Sequence, residues 1–234
     1  MAEGAHLLEE ALKPASRKRW VIERVFVTAE AREHFPLLLA GDDFELVELS
    51  ARAMQATAGT ETPQGVLTLL RPPAWAWEDL IVGQRLPVLI LDGIQDPGNT
   101  GTLVRSAEAF GAGGVVLSKG SARVSNGKFL RASAGSVFRI PYIEDTGAKE
   151  AAERALRSGL LVFALTPSAS RSVFEAQIGD GCALVIGSEG RGISREVLDR
   201  AEELRIPAQS VESLNAAVAG SIALFVSQQQ RHAG

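Results

Sequence analysis

Three short segments carry the residue types that ligand chemistry needs. Asp96-Pro97-Gly98-Asn99-Thr100-Gly101, with Arg105 beyond it, brings an amide and a guanidinium to a glycine-bearing turn. Ile186-Gly187-Ser188-Glu189-Gly190-Arg191-Gly192-Ile193 sets one carboxylate in a Gly-rich turn. Ile206-Pro207, then Ser213-Leu214-Asn215-Ala216-Ala217, supplies a hydroxyl and a second amide ahead of small residues. Such a set can hold a flat ligand against main-chain donors and acceptors, and can orient a reacting hydroxyl. Each segment falls where an apolar strand pattern passes into a loop and then a helix, which is where α/β proteins bind ligands.

Taken singly, each segment also has a plainer reading. Gly187-x-x-x-x-Gly192 has the glycine spacing of a phosphate-binding loop, but Ile193-Ser194 stand where its lysine should be, which argues against ATP or GTP hydrolysis. Gly111-x-Gly113 follows a helix pattern instead of preceding one, so it is no dinucleotide fingerprint. Glu189 reads either as a solvated loop acid or as an acceptor for a group across a site. Arg105 lies about one and a half helical turns after Asn99. Leu103, Val104, Ala107 and Phe110 mark much of that helix as buried, so Arg105 is expected to need a carboxylate or phosphate partner. Ser213 and Asn215 fit helix capping as well as ligand binding. The order of the three segments, each after a strand, is what sets them apart from chance.

The elements that must position these residues form two units. In residues 1–72, Leu7, Leu8, Ala11 and Leu12 make one helical face, Val25-Phe26-Val27 and Phe44 to Leu49 read as strands, Ser50 caps a helix to Thr57, and Gly65 to Leu70 is a further strand. Residues 73–86 form a linker opened by Arg71-Pro72-Pro73; its Trp75 and Trp77 either dock it on a domain or stack on bases. In residues 87–234, strands at Val88 to Leu91, Val115 to Leu117, Leu160 to Ala164 and Ala183 to Ile186 alternate with helices. One helix spans Thr100 to Phe110, with Asn99 as N-cap and Gly111 as C-cap, and another runs from Asn215 to about Gln230. This alternation predicts an α/β fold with a mostly parallel sheet covered by helices.

Composition narrows the setting. A chain of 234 residues that is 46% hydrophobic can bury a substantial core. The single cysteine, Cys182, excludes an intrachain disulfide and adjoins the apolar Ala183-Leu184-Val185-Ile186 run, so it reads as a buried hydrophobe in a reducing compartment. The first residues lack the basic region of a signal peptide, and no apolar run reaches the roughly 18 residues of a membrane span. A cytoplasmic protein without a membrane is expected. His6, His34 and His232 lie in unrelated segments, so no metal is expected.

A net charge of −4 argues mildly against a nucleic-acid partner, but the distribution argues for one. Between Glu108 and Glu144 there is no acid, while Lys119, Arg123, Lys128, Arg131 and Arg139 fall there. Arg17-Lys18-Arg19, with Arg24, forms a second basic cluster. Solvated loop charge is the ordinary meaning of such runs. The first, however, begins just past the Asn99 segment, where phosphate contacts would supply affinity without sequence readout.

In order and composition the three segments resemble motifs 1, 2 and 3 of the SpoU (TrmH) RNA 2′-O-ribose methyltransferases of the SPOUT superfamily. The resemblance covers roughly Val88 to Arg231. It implies S-adenosylmethionine as cofactor and RNA as substrate, rRNA favoured over tRNA. Asn99, Arg105, Glu189, Ser213 and Asn215 would then be the catalytic residues. Gly187, Ser188, Gly192, Ile206, Leu214 and Ala216 would bind the cofactor, and Lys119, Arg123, Lys128, Arg131, Arg17, Lys18 and Arg19 the RNA. It further implies a trefoil-knotted catalytic domain and a homodimer that completes the active site. Glu3-Gly4 and Thr62-Pro63-Gln64-Gly65-Val66 are similar to the family's small α/β substrate-binding module, itself related to a ribosomal protein. That module has another strand and helix upstream, so the unit reads as shortened at its start.

Two other classes remain open to the sequence. A non-catalytic RNA-binding or ribosome-assembly protein would use the basic stretch but leave Asn99, Arg105 and Asn215 without a joint purpose. A nucleotide-using α/β enzyme would use the Gly-rich turns but not the acid-free segment.

Overall fold

The computed structural model describes residues 1–17, 19–40, 44–82 and 86–233. The chain runs β1 (Ala2–Glu3), α1 (Ala5–Leu12), α2 (Pro14–Arg17), β2 (Val21–Val27), α3 (Ala29–His34), β3 (Glu45–Glu48), α4 (Ala51–Thr57) and β4 (Val66–Arg71). These strands pair in the order β1-β4-β2-β3. After α5 (Trp77–Leu80) come β5 (Val88–Asp92), α6 (Pro97–Ala109), β6 (Gly114–Ser118), α7 (Gly127–Ser133), a 3-10 turn at Ser136–Phe138, β7 (Tyr142–Thr146) and α8 (Ala148–Arg157). The chain ends through β8 (Leu161–Leu165), β9 (Cys182–Gly187), α9 (Arg195–Leu198), β10 (Glu202–Leu204) and α10 (Ala216–Ala233).

The second sheet is wholly parallel, in the order β10-β8-β9-β5-β6-β7. Its four inner strands, β8, β9, β5 and β6, are apolar on both faces, as a doubly covered sheet requires. Leu89, Leu91, Val115, Leu117, Leu184 and Ile186 face one layer, built from α6, α7 and α10. Val88, Ile90, Val116, Ala183 and Val185 face the other, built from α5, α8 and α9. The period-two split sends alternate residues of each strand to opposite cores. Two strands have no counterpart in the sequence reading: β7 is Tyr-Ile-Glu-Asp-Thr and β10 is Glu-Glu-Leu. Both are edge strands, where charge is tolerated and even protective, so hydrophobic patterning passes over them.

The linker docks. Trp77 is buried at the start of α5, and its indole N–H donates to Ser158 Oγ at 2.9 Å. Trp75 packs against the core while the Arg19 guanidinium sits 4.6 Å from its ring centroid.

The two sheets are joined by one contiguous core. Leu7, Leu8, Ala11 and Trp20 from the first unit pack with Val137, Phe138 and Ile140 from the second. Trp20 meets Phe138 edge-on, with ring centroids 5.1 Å apart. Beside this contact Arg139 donates through Nε and Nη2 to Glu108 on α6, and through Nη1 to Glu10 on α1. Lys13 adds a second hydrogen bond to Glu10. Burial pushes the Glu10 carboxyl up, but the hydrogen bonds from Lys13 and Arg139 outweigh it and hold the group below its ordinary 4.5. A carboxylate depressed in this way contributes its stability fully above the ordinary value, and loses it as pH falls through the lower, folded one. Glu10→Gln is therefore expected to cost about 1.5 kcal/mol at neutral pH. The gap in melting temperature between it and wild type should close on acidification below pH 4.5; a gap independent of pH would refute the ionic account.

Candidate active site

The three segments singled out by sequence follow β5, β9 and β10, and all emerge at the carboxyl edge of the parallel sheet. β5 and β9 are neighbours, with Asp92 paired in register with Gly187. The chain moves outward from β5 through β6 to β7, then returns to β8 on the far side, and β9 fills the gap between. The crevice at such a reversal is the usual ligand site of an open α/β sheet. Asp92 Oδ2 accepts the Ser194 N–H at 2.8 Å and ties the loops after β5 and β9 together.

The first segment opens α6, and here the sequence expectation is corrected. The N-cap is Asp96, not Asn99: Asp96 Oδ1 accepts the Asn99 N–H at 2.8 Å, and the helix begins at Pro97. Pro is well suited to a first helical position, which moves the cap upstream. Asp96 Oδ2 also takes a hydrogen bond from Lys128 Nζ at 2.9 Å. That bond, with the Asn99 N–H, holds the Asp96 carboxyl below the usual range. Freed from capping, the Asn99 side chain reaches across the crevice.

There it joins all three segments. Asn215 Oδ1 accepts the N–H groups of Ala217 and Val218 at 2.9 and 3.3 Å, and so caps α10. Its amide nitrogen then donates to Asn99 Oδ1 at 3.2 Å, and Asn99 Nδ2 donates to Glu189 Oε1. Because a side-chain amide has one acceptor and one donor end, the cap at Asn215 sets the sense of the whole line. Glu189 receives a donor and remains an exposed carboxylate.

The second segment is a tight turn. Gly192 N–H donates to Ser188 O at 2.8 Å, and the two residues form a short bridge. A Cβ on Gly187 would lie 2.3 Å from the Gly192 carbonyl carbon and 2.4 Å from the Ile193 nitrogen, so only glycine permits the turn. Gly192 itself has φ +67°, which also favours glycine.

Between these loops lies a cavity of about 480 Å3, lined by Gly187, Ser188, Gly192, Ile206, Leu214 and Ala216, the six residues expected to bind the cofactor. Glu189 and Ser213 lie on its wall. Leu165-Thr166-Pro167, at the end of β8, complete it and were not anticipated. Their position after a parallel strand was the available signal. A separate cavity of about 910 Å3 lies in the first unit, between α3, α4 and the Thr62–Gly65 turn, with Glu30, Glu48 and Glu61 in its wall.

Other expected residues fall elsewhere. Arg105 is exposed on α6 and, among the described residues, makes no hydrogen bond or ion pair; the expectation that it is buried on the helix, and so needs a partner in the chain, is corrected. Six residues turn it about 240° from Asn99 and carry it about 9 Å along the axis, so it faces away from the Glu189 line. Ser213 is exposed and caps nothing. The acid-free stretch is not free of acids in space: Arg123 pairs with Asp145, Lys128 with Asp96, Arg131 with Glu3, and Arg139 with Glu10 and Glu108. Among the described residues Lys119 has no such partner. Lys18 and the Arg17 side chain lie outside the described residues, while Arg19 lies 3.9 Å from Asp79. Cys182 is buried, which pushes its thiol up to about 12, out of reach of nucleophilic use. The described residues hold no group of three or more His, Cys, Asp or Glu that could take a metal ion, and no helix long and apolar enough to cross a membrane.

A parallel sheet with a ligand-sized cavity over its carboxyl edge, and a carboxylate on its wall held by one amide that a second amide orients, is the architecture of an α/β enzyme. The SpoU rRNA Methylase family model matches residues 87–225, and the MRM3-like substrate binding domain model matches residues 1–68. The Bacillus subtilis 23S rRNA (guanosine(2553)-2′-O)-methyltransferase RlmP is 33% identical over 227 residues, covering 96% of this chain and 86% of that protein. A Burkholderia 23S rRNA (guanosine-2′-O-)-methyltransferase RlmB is 32% identical over 201 residues, 83% of this chain and 81% of that protein. Among solved structures, the SpoU methyltransferase AviRb from Streptomyces viridochromogenes, in complex with AdoMet, superposes with a TM-score of 0.85 at 25% identity, covering 100% of this chain and 90% of that one. The chain belongs to the SpoU rRNA methylase family.

Gly187→Ala tests the cavity. The methyl must displace the Gly192–Ile193 backbone, so S-adenosylmethionine affinity by calorimetry should fall at least about tenfold. Unchanged affinity would mean that the cofactor does not use this turn.

Proposed function

We propose that the chain methylates a ribose 2′-hydroxyl of RNA at the mouth of the 480 Å3 cavity, with rRNA as the favoured substrate and tRNA the alternative. The observation that carries this reading is the Asn215–Asn99–Glu189 line, which sets a carboxylate beside a cavity of suitable size. The enzyme is an S-adenosylmethionine-dependent RNA methyltransferase, as its family and relatives are. The residues present fit the cofactor: the glycine-only turn at 187–192 leaves main-chain groups open to a flat base, and Leu165, Ile206 and Leu214 supply apolar walls. When bound, it supplies a methyl group already activated on a sulfonium.

What remains for the protein is to orient the 2′-oxygen in line and to ease loss of its proton. Glu189 has one oxygen engaged by Asn99, leaving the other for a hydroxyl or a guanidinium. Arg105, as a guanidinium, is a poor base. It polarises the hydroxyl and steadies the oxygen as the proton passes to a substrate phosphate or Glu189. Ser213 stands on the cavity wall as a further polar contact.

Arg105 faces away from Glu189 within one chain, and this supports a homodimer in which the partner's Arg105 completes each site. Its neighbours fit an interface. Val218 and Phe225 are 47% and 46% exposed on α10, Ile222 lies between them, and Phe110 meets Phe225 edge-on with ring centroids 5.7 Å apart. The trefoil knot belongs to the same proposal. From β10 at the sheet edge, the chain returns to α10, which packs on β9 and α6, so residues 205–215 must pass the loop that leaves β9. Knots are rare enough that only a family habit makes one the expected topology. Residues 1–72 would hold RNA structure away from the reacting ribose. Lys119, Arg123, Lys128 and Arg131 would contact phosphates, with Arg17, Lys18 and Arg19 added on sequence grounds. A cytoplasmic location accords with an RNA-modifying enzyme.

Transfer of labelled methyl from S-adenosylmethionine to rRNA and tRNA pools tests the reaction. Wild type should label one RNA at a ribose 2′-oxygen, and Arg105→Ala should lower the rate by at least about a hundredfold. No label on either pool would refute the reading. The shared site is tested by mixing. Arg105→Ala and Glu189→Ala should each be inactive alone, yet their randomly reassociated mixture should recover about a quarter of wild-type activity. No recovery from proven mixed dimers would place Arg105 in its own subunit's site.

A further inference from the structure

We propose that Arg139 is a positioning residue for the RNA substrate: it clamps the first unit onto the helix that carries Asn99 and Arg105, and so sets the span between the RNA element held by that unit and the ribose that is methylated. The inference rests on the functional reading above.

Arg139 uses its guanidinium as a two-sided fork. Nε and Nη2 take both oxygens of Glu108, the latter at 2.9 Å, and Nη1 takes Glu10. Glu108 lies on α6, three residues beyond Arg105, and Glu10 lies on α1 of the first unit. A planar guanidinium bound on both sides fixes direction as well as distance. The site is also withdrawn from solvent: the side chains of Arg139, Glu10 and Glu108 are 24%, 8% and 30% exposed. Such a pair is not free to exchange its carboxylates for a phosphate, unlike the exposed Arg123–Asp145 pair.

The approach of α1 is close as well as charged. Gly135 has φ +83°, and a Cβ there would lie 2.6 Å from Glu10 Cβ and Cγ. Behind it, α7 presses on α6 so tightly that a Cβ on Gly101 would meet the Phe129 carbonyl oxygen at 2.6 Å. First unit, 135–139 turn, α7 and α6 therefore form one stack, and Asn99 stands in the opening turn of its last member. Fold stability alone would be served by the apolar contacts of Trp20, Phe138 and Leu8. The fork adds a fixed angle.

Arg139→Gln and Arg139→Lys test the proposal on full-length protein with total rRNA as substrate. Spin labels placed through Gln55→Cys and Lys149→Cys report the distance between the units, and buried Cys182 does not compete for label. In Arg139→Gln the distance distribution should broaden, and KM for RNA should rise roughly fivefold to tenfold, as loss of a charge-assisted hydrogen bond predicts. The kcat and the S-adenosylmethionine affinity should stay within about twofold of wild type, and Arg139→Lys should recover part of the KM change. An unchanged distance distribution would overturn the proposal. So would a broadened one with unchanged KM, or an equal fall in kcat and cofactor binding, which would mark a structural role only. If wild type itself methylates no RNA, the functional reading fails and the proposal with it; if wild type is active and only the variant prediction fails, the functional reading stands.

Discussion

The parallel packing of α6 and α10 is the constraint on which the site depends. The two helices run in the same direction and are pinned at both ends and in the middle. At their amino ends Asn215 donates to Asn99, and at their carboxyl ends Arg231 Nη2 donates to the Phe110 carbonyl at 2.6 Å. Between these, Ser106 and Ser221 share a hydrogen bond of 2.6 Å, and a Cβ on Gly220 would lie 2.3 Å from Leu103 Cδ2. The small residues of α10, Ala216, Ala217, Gly220 and Ala223, are what permit this approach. The cationic end of Arg231 also meets the negative end of the α6 dipole. Burial lowers the hold of Arg231 on its proton, but a guanidinium starts so high that it remains charged.

This registration has a chemical consequence. Asn99 is in the first turn of α6 and Asn215 caps the first turn of α10, and the amide line they form is only as well aligned as the helices that carry them. The same crossing leaves the outer faces of both helices bare, with Val218 and Phe225 on one and Arg105 on the other. One packing event therefore aligns the Asn215–Asn99–Glu189 line and leaves Arg105 facing outward. The loop after β8 is held to the same helix: Gln230 Oε1 accepts the Ile178 N–H and its Nε2 donates to the Ala176 carbonyl, at 2.8 and 2.9 Å.

The legible part of the fold was the part written in periodicity. The runs at 88–91, 115–117 and 183–186 are apolar on consecutive residues, and only a sheet covered on both faces uses such strands. Ser50 and Gly111 marked helix ends through chemistry confined to one or two residues: Ser50 Oγ accepts the Ala53 N–H as expected, while the C-cap of α6 is Phe110 and Gly111, with φ +70°, follows it. What escaped was set by tertiary context. β7 and β10 are strands because a neighbour offers an edge, not because their own residues demand it. Asp96 and Asn99 are both good caps by type, and the Pro97 ring decides between them. Much of the cavity lining was visible as the second and third segments, but the contribution of β8 was not, since Leu165-Thr166-Pro167 has no distinctive composition.

Charge was the least legible property, because sequence reports which residues are basic but not what their charge is spent on. The five cations between Lys119 and Arg139 look alike in the chain. In space their exposure separates them. Arg123 and Asp145 are 62% and 56% exposed, and such a pair contributes little, within about 1 kcal/mol. An anion can replace Asp145 at small cost, so the pair does not hold Arg123 as a buried partner would. Lys128 and Asp96 are similar, at 58% and 43%. Arg139, with both partners largely withdrawn from water, would have to strand a buried carboxylate in order to let go. The net charge of −4 is thus no argument against RNA. Part of the acid complement does structural work inside the fork at Arg139. Part of it lies in exposed pairs that a polyanion can displace, with counterion release favouring the exchange at low salt.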